Sequence, residues 1–126
     1  MVKGAYDESP DIAYPRRRDV DENFFRLATR LLSEEAVQKG ARLAAGTHDL
    51  RLLRQITEHA VERGLSKKDF EIQMLYGIQS AAQKELAAEG HAVRVLVAFG
   101  TEWYPWFFRR LAERPANVWF LLRNLF

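Results

Sequence analysis

The chain has 126 residues, which suits one small domain with a packed core and no more. Hydrophobic residues make up 48% of it and charged residues 29%, and it has no cysteine, which excludes a disulfide framework and a thiolate metal site. The net charge of +2 comes without a dense basic run, which gives no nucleic-acid footprint, and no apolar run reaches membrane-spanning length.

The N-terminal stretch MVKGAYDESPD lacks the apolar core of a signal peptide, and the composition fits a cytoplasmic protein. Val2 to Tyr6 reads as a short strand, and Asp7 to Pro15, with its two prolines, as a loop. Asp19 to Lys39 has the apolar stripe of a helix in Phe24, Phe25, Leu27, Ala28, Leu31 and Leu32, with Asp21 as its cap and Gly40 as its stop. The arginines Arg16 to Arg18 are balanced by Asp19, Asp21 and Glu22. Arg42 to Gly46 reads as a second strand, ending in Thr47-His48-Asp49. A second helix follows from Leu50 to Arg63, stopped by Gly64. Phe70 to Leu75 is a third strand, Ser80 to Glu89 a third helix, and Val93 to Phe99 a fourth strand with one arginine, Arg94. Asn117 to Phe126 is most simply a terminal helix.

Strand and helix therefore alternate four times with short connections, which argues for a parallel sheet covered by helices. Four such units are half of an eight-fold barrel, or else a small open sheet. In both architectures the chemistry gathers at the carboxyl ends of the strands. Tyr6, Thr47-His48-Asp49, Tyr76-Gly77 and Gly100-Thr101 stand there. In the third strand, alternation puts Phe70, Ile72, Met74 and Tyr76 on one face and Glu71, Gln73 and Leu75 on the other. Polar residues on a buried strand need partners. Glu71 and Gln73 either bond their neighbours or line a cofactor pocket. His48 has no second histidine near it in sequence, and is either a turn residue or part of that pocket.

The stretch GTEWYPWFFRRLAE, Gly100 to Glu113, is the densest in functional side chains. Thr101 can cap a helix with Pro105 in its first turns. Trp103, Tyr104, Trp106 and Phe107 make an aromatic wall beside Arg109 and Arg110. Such a wall beside guanidiniums suits an amphipathic acid, its apolar body on the rings and its carboxylate in a bidentate arginine contact. The bland alternative is a core-packing helix with solvated arginines, Arg109 pairing with Glu113 at i,i+4.

Four stretches taken together resemble the flavin-dependent proline dehydrogenases. They are VKGAY at Val2 to Tyr6, THD at Thr47 to Asp49, FEIQMLYG at Phe70 to Gly77 and RRLAERPANVWFLLR at Arg109 to Arg123, in the family's order and at compatible spacing. The resemblance covers residues 1–126 and implies a partial (β/α)8 TIM barrel: strands five to eight with their helices. The family oxidises L-proline to Δ1-pyrroline-5-carboxylate, reduces FAD and passes the electrons to a quinone. Carried over by position, Arg109 and Arg110 hold the proline carboxylate, and Tyr6 and Leu75 pack on its ring. Val2, Lys3, Gly4, Ala5, Thr47, His48, Asp49, Gln73 and Glu113 lie along the FAD.

The chain departs from the family pattern at Leu96 and Trp106, each a family tyrosine that shapes the substrate site, which leaves open whether proline or hydroxyproline is preferred. Gly46 stands where the family has alanine. The arginine that precedes Val2 in the family is replaced by Met1, and the substrate-contacting residues of the earlier strands are absent. The resemblance thus implies a gene fragment or truncated piece that is inactive alone, self-associates through its open sheet edges, and in its complete form meets its quinone at the inner face of a membrane. The competing expectation is a non-catalytic half-barrel or interaction module without FAD.

Overall fold

The computed structural model describes residues 1–3, 8–101 and 103–105. The elements run α1 (Arg17–Leu31), α2 (Glu34–Gln38), β1 (Ala44–Gly46), α3 (Leu50–Glu62), β2 (Glu71–Leu75), α4 (Ser80–Ala88) and β3 (Ala92–Leu96). The three strands form one parallel sheet in the order β1-β2-β3. Val2 extends it by a parallel bridge to Gly46, through Lys3 N–H to Gly46 O at 2.9 Å and Gly46 N–H to Met1 O at 2.8 Å. Among the described residues the fold is thus mixed α/β with every pairing parallel, as the alternation predicts. The described strands are shorter than the expected spans 2–6, 42–46, 70–75 and 93–99. Residues 4–7 lie outside the described residues, so the first expected strand is seen only at its start.

The expected single helix over 19–39 is two helices. α1 starts two residues earlier, at Arg17, and ends at Leu31. Ser33 then opens α2, its hydroxyl accepting the Ala36 N–H at 3.3 Å. A serine that satisfies the first free amides of a new helix restarts the chain in a new direction, although the apolar pattern continues through it. Asp21 is not a cap: it lies inside α1 and carries an ion pair described below.

α3 is capped by Asp49, whose carboxylate accepts the Leu52 N–H at 3.2 Å. It ends at Gly64, in the left-handed region at φ 76°, where Leu65 N–H bonds back to Ala60 O at 3.0 Å. Only glycine adopts this turn at no steric cost, and the turn folds Leu65 back onto the core.

One face of the sheet is closed by helices. Ala45, Ile72 and Met74 from the strands meet Phe24 and Ala28 of α1 and Leu52, Leu53, Ile56 and Ala60 of α3, all buried. Burying each of the large side chains contributes about 1.5–3 kcal/mol, so Ile56→Ala, which opens a cavity at 0% exposure, costs roughly 2–5 kcal/mol. Tyr76, placed by alternation on this face, is instead exposed, because the strand ends at Leu75 and the chain turns. The opposite face of the sheet has no such cover among the described residues.

Candidate functional site

Strand pairing brings the open face into rows. Val2 lies beside Gly46, Gly46 beside Gln73 and Gln73 beside Arg94, while Leu75 lies beside Leu96. Paired residues of a parallel sheet share a face, and here it is the face opposite to buried Ile72 and Met74. Glu71 and Gln73, which the sequence leaves with two alternatives, bond each other and a third residue. Gln73 Nε2 donates to Glu71 Oε1 at 2.6 Å, and Arg94 donates to Glu71 Oε2 through Nε at 2.9 Å and Nη2 at 2.8 Å. The Arg94 bond, with that of Gln73, holds the Glu71 carboxyl below its ordinary range. The open face is thus an amide and a balanced ion pair flanked by Val2, Leu75 and Leu96.

The carboxyl end of β1 supplies a second cluster. Thr47 is buried, and its hydroxyl accepts the Asp49 N–H at 3.1 Å, which shapes the turn. His48 Nε2 accepts the N–H of Leu75 at 3.0 Å, so in this arrangement the ring proton sits on Nδ1. Gln83 of α4, a buried amide, donates to Leu75 O and to Ile78 O, each at 2.8 Å. Side chains therefore clamp both main-chain groups of Leu75, at the point where its side chain enters the open face.

Lys3 points the other way, as the alternation from Val2 requires. Its ammonium bonds Asp49 Oδ2 at 2.8 Å and also pairs with Asp21, with side-chain exposures of 8% for Lys3, 15% for Asp49 and 12% for Asp21. Arg51 completes the balance at 3.3 Å from Asp21. Burial pushes the Asp49 carboxyl up, but the Lys3 bond, the Leu52 N–H and the nearby cations together hold it below its ordinary value. An open groove of about 940 Å³ runs beside this cluster, lined by Arg17, Arg18, His48, Asp49, Gln55 and Gln79 among others. Gln79 holds a left-handed backbone at φ 55°, a conformation of side-chain-bearing residues that concentrates at functional turns.

Of the residues singled out from sequence, Val2, Gln73, Leu75 and Leu96 share the open face, and Lys3, Thr47, His48 and Asp49 gather at the end of β1. Gly4, Ala5, Tyr6, Trp106, Arg109, Arg110 and Glu113 lie outside the described residues. Of the expected aromatic wall, Trp103 and Tyr104 are described, both exposed, their rings edge to face at 5.6 Å. The sequence reading missed three participants. Arg94 had a signal, since opposite charges at diagonal positions on one face of adjacent strands are within reach of each other. Gln83 had a weak one, a lone amide between Ala82 and Leu86. The Lys3–Asp21 pair had none, because nothing local joins two residues so far apart.

The chain matches the family profile described as proline dehydrogenase over residues 1–123. It belongs to the proline dehydrogenase family. It is 42% identical over 125 residues to a proline dehydrogenase of Deinococcus radiodurans, covering 99% of this chain and 39% of that protein. With proline dehydrogenase 1 of Bacillus subtilis strain 168 it shares 43% identity over 126 residues, covering 99% of this chain and 40% of the relative. With proline dehydrogenase 2 of the same strain it shares 40% over 125 residues, at the same two shares. The chain thus spans about two-fifths of the length of the curated relatives it matches. Among the described residues no helix is long and apolar enough to cross a membrane.

Proposed function

We propose that this chain supplies the carboxyl-terminal half of the (β/α)8 barrel of an FAD-dependent proline dehydrogenase, with the open sheet face as the wall of the cofactor and substrate cavity. The observation that carries the reading is the convergence of Val2, Gln73, Leu75 and Leu96 on one uncovered face of a parallel sheet, in a chain of this family. The reaction is the oxidation of L-proline to Δ1-pyrroline-5-carboxylate, with electrons passed to a quinone. The complete protein works in the cytoplasm, touching the inner face of the membrane where its quinone resides.

The residues present fit FAD. A flat ring system with a polar edge suits a face that offers apolar side chains around an amide, and the Gln73 amide keeps hydrogen-bonding capacity beyond its bond to Glu71. His48 and Asp49 border the groove whose Arg17, and Arg18 beside its partner Glu22, suit the phosphates. When bound, FAD supplies the two-electron oxidising capacity. The chain itself binds and orients. Arg109 and Arg110 take the substrate carboxylate and Tyr6 packs on its ring, with Glu113 beside the cofactor. Leu75, held by His48 and Gln83, presents a fixed apolar surface to the ring, and Leu96 and Trp106 set which ring substituents fit. Such fixed positioning keeps the reacting atoms in register with the cofactor.

The experiment is a chimera in which this chain replaces the matched segment of the Deinococcus radiodurans relative. Proline-dependent reduction of a quinone analogue, well above that of a chimera carrying Arg109→Ala and Arg110→Ala, supports the assignment. A folded chimera that binds no flavin refutes it.

A further inference from the structure

We propose that Glu71 and Arg94 are positioning residues for Gln73, and that together they present Gln73 Oε1 to the open face as a fixed acceptor for an N–H donor of the bound ligand. This role rests on the open face being the cavity wall, as proposed above. The two oxygens of the Glu71 carboxylate are divided between its neighbours. Arg94 takes Oε2 through both Nε, at 2.9 Å, and Nη2, at 2.8 Å, while Oε1 accepts from Gln73 Nε2 at 2.6 Å. A carboxylate has acceptors only, so the amide meets it in one orientation, nitrogen first. The flipped amide would set two oxygens against each other. Arg94 maintains this in two ways. Its hydrogen bond and charge hold the carboxyl ionised, below its ordinary range, and its two N–H bonds to one oxygen leave the other turned to Gln73.

Strand geometry decides where the oxygen goes. Glu71 lies two residues toward the amino end of β2, on the same face as Gln73. Turning the amide nitrogen that way turns its oxygen the other way, toward Leu75 and the carboxyl end of the sheet, where His48 fixes the Leu75 main chain. The second Nε2 hydrogen stays on the nitrogen's side of the amide. Among the described residues Gln73 Oε1 accepts no hydrogen bond. Its neighbour on β1 is Gly46, which has no side chain to cover it. Its neighbour on β3 is Arg94, drawn aside into the Glu71 pair. The oxygen is therefore an unfilled acceptor with an open approach, and its complement is a donor. Two N–H donors belong to the ligands of the proposed cavity: the ring N–H of the cofactor and the ring nitrogen of proline. A ligand atom with lone pairs alone would meet the amide oxygen unfavourably. The ion pair thus turns an amide that could serve as donor or acceptor into an acceptor, and does so without adding net charge to the face.

A double-mutant cycle in the chimera with the Deinococcus radiodurans relative tests the role, read by the FAD dissociation constant and, separately, by KM for proline. Gln73→Met deletes the acceptor. Glu71→Gln keeps the shape but can donate to Gln73 Oε1, which frees the amide to flip. If the donor is the cofactor's N–H, each variant should raise the FAD dissociation constant about 3- to 10-fold, the contribution of one neutral hydrogen bond, with KM for proline kept. If the donor is the substrate's, each should raise KM for proline about 3-fold or more, with FAD binding kept. In either case Glu71→Gln should add little in the Gln73→Met background, because it acts through the amide. Arg94→Met should weaken the same constant, and Arg94→Lys should recover part of it, since it keeps the charge without the fork. These two serve where Glu71→Gln does not fold. If Glu71→Gln and Arg94→Met lower the urea midpoint but leave both constants unchanged, the pair is a cross-strand tie and the proposal is overturned. Additive effects of Glu71→Gln and Gln73→Met also overturn it, since Glu71 would then act on the ligand directly. A wild-type chimera that folds without binding flavin is a different result: it overturns the cavity reading, and this role falls with it.

Discussion

Replacing Lys3 by Met tests the ion cluster that ties the start of the chain to two helices. The ammonium of Lys3 lies between Asp49, at 2.8 Å, and Asp21, and all three side chains are at most 15% exposed. Methionine keeps the length and the apolar stem but removes the charge. Two carboxylates then face each other in a site with little water. Breaking a largely buried pair from one side costs about 3–5 kcal/mol, because the surviving charge is left uncompensated. Asp21 keeps Arg51 at 3.3 Å and Asp49 keeps the Leu52 N–H at 3.2 Å, which puts the expected loss near the low end, about 3 kcal/mol. At a urea m-value of about 2 kcal/mol/M, that lowers the unfolding midpoint by about 1.5 M. The loss should persist at high salt, since ions screen a buried pair weakly. Adding Asp21→Asn should recover part of it, because it removes one of the stranded carboxylates. A midpoint lowered by less than about 0.5 M, or a loss that vanishes in salt, would show that Lys3 is a solvated surface cation, worth at most about 1 kcal/mol.

Gln83→Leu leaves two carbonyls, Leu75 O and Ile78 O, without their 2.8 Å donor. It should cost about 2–3 kcal/mol in urea titration and speed amide exchange across residues 76–79, while an unchanged midpoint would remove the clamp. His91 is 8% exposed, and burial, then the Lys67 charge, lowers its basicity against a weaker opposing pull from Glu89. The fold therefore prefers neutral His91, and its contribution is fully present above about pH 6.5 and is lost as pH falls through the lower folded value. Urea midpoints of the wild type should fall between pH 7.5 and 5.5 more than those of His91→Gln, and equal slopes would contradict this. In the chimera with the Deinococcus radiodurans relative, Arg109→Ala and Arg110→Ala should each raise KM for proline roughly 30- to 1000-fold with flavin content kept, and Lys at either position should rescue this only in part, because a point charge replaces a planar fork. Unchanged KM in both would return these arginines to the solvated surface.

The βα alternation was legible because each helix carries a stripe and a stop. The spacing predicts α3 over 50–63, and it spans Leu50–Glu62 with Gly64 just past its end; it predicts β2 over 70–75, and β2 spans Glu71–Leu75. The alternation within β2 also foretold that Glu71 and Gln73 share a face. The break at Ser33 was hidden, because Ala36 and Val37 extend the apolar pattern past it and a single serine competes poorly with a stripe. Asp21 precedes an apolar run as a cap does, but the helix has already begun at Arg17 on backbone bonds alone. The cluster at the end of β1 was legible as Thr47-His48-Asp49, but its partners were not. Lys3, Leu75 and Gln83 reach it from other elements, and only the fold brings them there.

Anaerobic mixing of the chimera with proline, read by bleaching of the flavin colour, tests most directly whether the open sheet face is the working face. Leu75→Lys puts a long, charged side chain on that face between the His48 and Gln83 bonds, while Val61→Lys puts the same charge on the outer side of α3. The wild-type chimera and its Val61→Lys variant should bleach rapidly on proline addition. Leu75→Lys should slow bleaching by two orders of magnitude or more, a barrier increase of about 2.7 kcal/mol. If Leu75→Lys bleaches as fast as Val61→Lys, the open face does not meet the substrate, and the cavity assigned to it does not exist.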